Sequence, residues 1–266
     1  MNICLFTQEE INQPLSLRDE RGEHLLKILH KKEGDTFSAG IINGQAGKAT
    51  ITSIEKFENT TPDGKKHFED GKIHFTFQGE SDGKPLYPLK MIIGFPRPIQ
   101  LKRLMRDMAG LGVCEIHLTG TELGEKSYLK SDLATTEAGY QMLLEGTVQA
   151  AGTHIPKLYR HSTLRECIDF ISREENQENT PSAKFALDNI DAKGSLWDEL
   201  LSSVKTDSLH SAVAAIGSER GWTKNERQLL EEKGFKRLSM GKRVLRTESA
   251  ATVSASLILG AMGKLN

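Results

Sequence analysis

An α/β fold with a largely parallel sheet, preceded by a small β-barrel, is the class this sequence predicts, and three features support it. Apolar residues alternate through residues 36–77, a dense turn-forming run (Gly79-Glu80-Ser81-Asp82-Gly83-Lys84-Pro85) follows, and from Leu89 onward short apolar strands alternate with helical periodicity. The expected domains are therefore a barrel over 1–80 and an α/β layer domain over 86–266.

In the first domain, Thr36 to Ile42 and Lys48 to Phe57 read as strands around the turn Asn43-Gly44, both residues of which tolerate a positive φ. Lys72 to Phe77 is a further strand, with Ile73, Phe75 and Phe77 on one face. Thr60-Thr61-Pro62-Asp63-Gly64 reads as the turn between them. In the second domain the strands are Lys90–Gly94, Glu115–Leu118, Lys184–Leu187 and Ala212–Ile216, each short and apolar enough to be buried. Leu101, Leu104, Met105 and Met108 share one face of the first helix. Thr223 followed by Glu226 is a capping box that opens another helix, which ends near Gly234. Glu174 to Pro181 is polar and reads as a surface loop, and Ala251 to Met262 as a closing helix rich in small residues.

The chain has 266 residues, 37% hydrophobic and 27% charged, with a formal net charge of −1. This composition is that of a globular protein, and it excludes one that coats nucleic acid through a large positive field. Any nucleic-acid contact must be local. The clearest basic patch runs from Lys236 through Arg237, Lys242, Arg243 and Arg246. Cys4, Cys114 and Cys167 are odd in number and far apart, which fits a reducing compartment; the eight histidines are scattered, so no metal is expected. No apolar run is long enough to span a bilayer and the N-terminus lacks signal-peptide order, which gives the cytoplasm as the expected location.

Two segments near the C-terminus bear on chemistry. Ala214-Ala215-Ile216-Gly217-Ser218-Glu219-Arg220-Gly221-Trp222-Thr223 joins a buried strand to a capped helix through a glycine turn, where open α/β sheets bind ligands. It has neither the Gly-x-Gly-x-x-Gly spacing of dinucleotide sites nor the phosphate-loop spacing, which disfavours a nucleotide-phosphate enzyme. The second segment is Leu238-Ser239-Met240-Gly241-Lys242-Arg243-Val244-Leu245-Arg246-Thr247-Glu248-Ser249-Ala250.

That second segment resembles the closing motif of the ribosomal RNA small subunit methyltransferase E family, Leu-Gly-x-Arg-Ile-Leu-Arg-Thr-Glu-Thr-Ala. The family's glycine turn, Gly-Pro-Glu-Gly-Gly, is matched at Gly217, Glu219 and Gly221, with Ser218 and Arg220 at the other two positions. His24, Leu29, Gly34 and Asp35 match a pattern near the family's N-terminus, and Gln149, Ile155 and Pro156 one near its middle, so the resemblance covers nearly the full chain.

The resemblance implies a PUA-like RNA-binding barrel followed by a SPOUT domain with a trefoil knot. It also implies S-adenosylmethionine as methyl donor, N3 of a small-subunit ribosomal RNA uridine as acceptor, in free RNA or the assembled 30S particle, and a homodimer. Small residues of the last helix, Ala250, Ala251, Ser254, Ala255 and Gly260, would permit close packing of two copies. Leu187, Gly217, Ser218, Glu219, Gly221, Leu238, Met240, Gly241, Val244 and Leu245 would surround the donor; Leu238, Val244 and Leu245 serve equally as core residues. Lys27, His30, Arg97, Arg220 and Arg243 would contact RNA. Arg246 would hold uracil oxygens or a phosphate, and Glu248 would accept or orient the N3 proton or else cap the last helix.

Several charged family positions differ here, at His30, Asp107, Gly110, Leu123 and Gly152. Fewer phosphate-neutralising cations imply altered RNA contacts. Two rival functions share the fold: methylation of a ribose 2′-hydroxyl, and a non-catalytic ribosome-assembly role.

Overall fold

The computed structural model describes residues 2–60, 66–128, 136–178 and 181–265. The chain divides into two compact units, 1–85 together with 147–155, and 86–146 together with 156–266.

In the first unit, β1 (Cys4–Phe6), β2 (Leu15–Ser16), β3 (Thr36–Ile41), β4 (Ala46–Thr60) and β5 (Lys66–Ser81) form one sheet in the order β1-β3-β4-β5-β2. Only β1 and β3 are parallel. The β3–β4 hairpin turns where the sequence places it, with Asn43 at φ 56°. Residues 61–64 of the second expected turn lie outside the described residues. Phe6, Leu25, Phe37, Ile51 and Ile73 fill the core. A short helix, α1 (Glu20–Glu23), runs into a π-helical turn, His24–Ile28. Residues 147–155, which sequence order assigns to the second domain, pack into this unit: Asn43 N–H donates to the Thr153 carbonyl (2.8 Å) and the Asn43 side-chain oxygen accepts from Ile155 N–H (2.9 Å).

The second unit is built on six parallel strands, β6 (Tyr87–Gly94), β7 (Val113–Thr119), β8 (Lys157–His161), β9 (Ala183–Leu187), β10 (Ala212–Ile216) and β11 (Lys236–Leu238). Their order is β11-β9-β10-β6-β7-β8, and every pairing is parallel. The chain first winds from β6 outward to β8, then restarts at β9 on the other side, so the order reverses between β6 and β10. Such a reversal is the usual place for a ligand crevice. The helices are α2 (Pro98–Leu111), α3 (Thr136–Gln149), α4 (Leu164–Glu178), α5 (Leu196–Thr206), α6 (Lys224–Glu232) and α7 (Thr247–Ala261).

Three local expectations change. The polar run from Glu174 is helical to Glu178, because Glu174 pairs with Lys90 (3.2 Å) and Glu175 with Lys184 (2.9 Å) on the sheet; residues 179–180 are outside the described set. The basic patch is partly neutralised, with Lys236 paired to Glu199 and Arg237 to Glu231 and Asp188. The small residues of α7 are consumed inside the chain: Ala250, Ala251, Ser254 and Ala255 are buried, and the helix packs on α2, α5, β6 and β10.

Candidate functional site

At the carboxyl ends of β6, β9 and β10 lies a cavity of about 580 Å³, within the range of about 300–1,000 Å³ typical of small-molecule sites. Three chain segments wall it: Leu187–Ile190 after β9, Ile216–Trp222 after β10, and the crossing 240–247 before α7. Arg97 and Gln100 close a fourth side.

Backbone crowding explains the glycines. A Cβ on Gly217 would sit 2.9 Å from the Gly221 carbonyl carbon, and one on Gly94 would sit 2.4 Å from Ser218 N, so the turn after β10 can cross the end of β6 only because both are glycine. Gly221, at φ 71°, closes the turn by donating to the Ser218 carbonyl (2.8 Å). The Thr121 hydroxyl reaches the Ser218 hydroxyl (3.0 Å), and the Trp222 indole N–H donates to the Leu187 carbonyl (3.2 Å), tying the β10 loop to the end of β9.

Two buried carboxylates hold the walls. Glu226 is 4% exposed; it accepts from Thr223 N–H and, across 104 residues of sequence, from Glu122 N–H, each at 2.9 Å. One side chain thus caps α6 and anchors the loop after β7. Asp188 accepts from Arg227 (Nε 2.6 Å, Nη2 3.3 Å) and from Ile190 N–H (3.1 Å), with Arg237 Nη1 at 3.5 Å.

The rim is cationic. Arg97, Arg220, Arg243 and Arg246 line the cavity, and Arg97 alone of these has a carboxylate partner among the described residues, Glu219 (Nε–Oε1 3.6 Å). The space can therefore admit a small molecule against backbone and apolar surface while its mouth meets an anionic chain.

Most of the expected site residues converge here: Leu187, Gly217, Ser218, Glu219, Gly221, Met240, Gly241, Val244 and Leu245, together with Arg97, Arg220, Arg243 and Arg246. Leu238 does not line the cavity; it is buried in β11. Nor does Glu248, which is buried in the first turn of α7, with Oε2 lacking a hydrogen-bond partner among the described residues. Lys27 and His30 belong to the first unit. Asp188, Asn189, Ile190, Gln100 and Trp222 went unforeseen. The strand-end rule, applied to β9 as it was to β10, would have found the first three.

The histidines are not all scattered in space. His117 Nδ1 lies 3.1 Å from His161 Nε2, and His117 Nε2 lies 3.1 Å from Glu115, which Lys90 pairs at 3.1 Å. Cys167 Sγ lies within 4.8 Å of both rings. Burial, with His117 next to it, pushes His161 down to about 4 and burial also lowers His117, so both rings are neutral. A chain in which His161 donates to His117 and His117 to Glu115 satisfies these contacts. None of these residues lines the cavity.

A sequence profile of the RNA methyltransferase domain matches residues 82–259. The ribosomal RNA small subunit methyltransferase E of Treponema pallidum is 40% identical over 263 residues, covering 97% of this chain and 91% of that protein. The ribosomal RNA small subunit methyltransferase E 1 of Borreliella burgdorferi is 32% identical over 258 residues, covering 97% of each chain. The fold matches that of a ribosomal RNA small subunit methyltransferase E from Neisseria gonorrhoeae bound to S-adenosyl methionine, with TM-score 0.69 at 19% identity over 98% of this chain and 97% of the other. A putative methyltransferase of Legionella pneumophila in complex with the same compound gives TM-score 0.67 at 20% identity, with 98% of each chain covered.

Proposed function

The chain belongs to the ribosomal RNA small subunit methyltransferase E family, and on that premise we propose that it transfers a methyl group from S-adenosylmethionine to N3 of a uridine in small-subunit ribosomal RNA. The observation that carries this reading is the cavity at the strand-order reversal, with glycine-built walls inside and four arginines at its mouth. Its volume and its exposed backbone suit an adenosine and a methionine moiety.

When bound, the donor supplies an electrophilic methyl on a sulfonium. The chain aligns the donor with the acceptor nitrogen. The backbone of the Gly217–Gly221 turn and the segment Met240–Leu245 would hold the donor from two sides. Arg246 would grip the uracil oxygens, where its forked donors match partial negative charge, and Arg97, Arg220 and Arg243 would hold flanking phosphates. Glu248, in the first turn of α7, would act as a carboxylate at the positive end of that helix.

The first unit would serve as a PUA-like barrel that places RNA through Lys27 and His30, and the second as a knotted SPOUT domain working in the cytoplasm, where small subunits are found. We also propose a homodimer, supported by the apolar surface beside the cavity. Val244 and Ile99 are each 79% exposed and Leu245 is 38% exposed, and a second copy would cover them.

Purified small ribosomal subunits from a strain lacking the corresponding gene, treated with the protein and labelled donor, test the proposal. The expected product is one base-methylated uridine mapped to N3. A ribose-methylated nucleoside would establish the 2′-hydroxyl rival, and absence of calorimetric donor binding the non-catalytic one.

A further inference from the structure

Resting on the reading that this chain methylates uridine N3, we infer that the Glu219 carboxylate is the group that takes the proton from that nitrogen. N3 of uracil carries a hydrogen, and it must leave as the methyl arrives. Two carboxylates line the cavity, Asp188 and Glu219. Asp188 is engaged: its side chain is 1% exposed, and two arginines and a backbone N–H surround its oxygens. Glu248, close by in sequence, is buried in α7 away from the cavity.

Glu219 is engaged on one oxygen only: Arg97 holds Oε1 through its backbone N–H and, at 3.6 Å, its Nε, which leaves Oε2 toward the cavity. Its side chain is 33% exposed, and its Oε1 accepts from Arg97 N–H at 3.3 Å. No hydrogen bond among the described residues engages Oε2. The turn backbone is braced by Gly221 N–H on the Ser218 carbonyl and by Thr121 on the Ser218 hydroxyl, and Arg97 steadies the carboxylate through Oε1.

The step balances. N3 forms its bond to the methyl carbon while the methyl–sulfur bond breaks with its electrons remaining on sulfur. The N3–H electron pair stays on nitrogen, and the proton passes to Glu219 Oε2 and from there to water. Uracil N3–H is a far weaker acid than a carboxylic acid, so proton and methyl move together, with Arg246 offsetting charge on the ring oxygens.

Glu219→Gln and Glu219→Ala in the full chain test the inference, assayed on unmethylated small subunits alongside the parent protein. Both are expected to lower kcat by about 100-fold to 10,000-fold, with the donor dissociation constant from calorimetry changed by less than about threefold. Added formate should restore part of the rate to Glu219→Ala and none to the glutamine variant, a readout that a structural role would leave flat. Retention of rate within about threefold overturns the inference, as does a loss appearing only in donor affinity, which makes Glu219 a donor-site group. A parent protein that leaves uridine N3 unmethylated instead overturns the functional reading itself, before the variants are compared.

Discussion

Replacing Asp188 with asparagine removes the charge that anchors the loop after β9 and leaves the shape almost unchanged. Four donors converge on this carboxylate: Arg227 Nε at 2.6 Å and Nη2 at 3.3 Å, Ile190 N–H at 3.1 Å and Arg237 Nη1 at 3.5 Å. Removing one partner of a buried ion pair costs about 3–5 kcal/mol, most of it from the charge left behind. Two features lower that figure here. Arg237 keeps Glu231, and the Arg227 side chain, 17% exposed, can still reach water, which brings the expected loss to about 2–3 kcal/mol. Urea unfolding of the parent, Asp188→Asn, Arg227→Gln and the double variant measures it. The double variant should lose less than the sum of the singles by about 1–2 kcal/mol. Since Asn189 and Ile190 line the cavity, donor affinity should fall in parallel. A single variant within about 0.5 kcal/mol of the parent, or strict additivity, would refute the clamp.

Gly94→Ala drives a Cβ to 2.4 Å from Ser218 N, so overpacking of about 1–3 kcal/mol in a thermal melt, with weakened donor binding by calorimetry, is expected; unchanged binding would show that the turn yields freely. His161 is held near 4, below its ordinary 6.5, by burial first and then by His117, with Glu166 opposing. The unfolded chain therefore binds the extra proton between those values, and stability is complete above pH 6.5 and lost as pH falls toward 4. At about 1.4 kcal/mol per pH unit over that interval the loss is about 3 kcal/mol, and His161→Gln should flatten that part of the acid limb in denaturant melts. Arg243→Ala should weaken RNA binding evenly across sequences and reduce the slope of log affinity against log salt by about 1; an unchanged slope would remove Arg243 from the phosphate contacts.

What was legible in the sequence was what local chemistry decides. The Asn43 turn, the Thr223–Glu226 capping box and the apolar strand Ala212–Ile216 depend on neighbours within a few residues, and all three form. Elements whose polar residues find distant partners were not legible. β8 carries Lys157, Arg160 and His161 in only five residues, and β11 carries two cations in three, so neither resembles a buried strand until Glu115, Asp188 and Glu231 are brought alongside. The tail of α4 reads as a loop for the same reason, because Glu174 and Glu175 are answered by Lys90 and Lys184 from β6 and β9.

The placement of Glu248 was decidable from periodicity, and that bears on the chemistry. Counting along α7, Glu248, Ala251, Ala255 and Leu259 recur at three- and four-residue steps and form one stripe, all of it buried. A side chain in phase with three core residues faces the core, whereas Thr247 and Ala250, one step round the helix, reach the cavity. Conserving the motif's order therefore does not give each of its residues the same role. Arg246, just outside the helix, lines the cavity, while Glu248, two residues on, is buried. Of the two acids that line the cavity, Asp188 is taken up by Arg227 and Arg237, and Glu219 comes from the other motif, set on a turn that only glycine at 94 and 217 can accommodate.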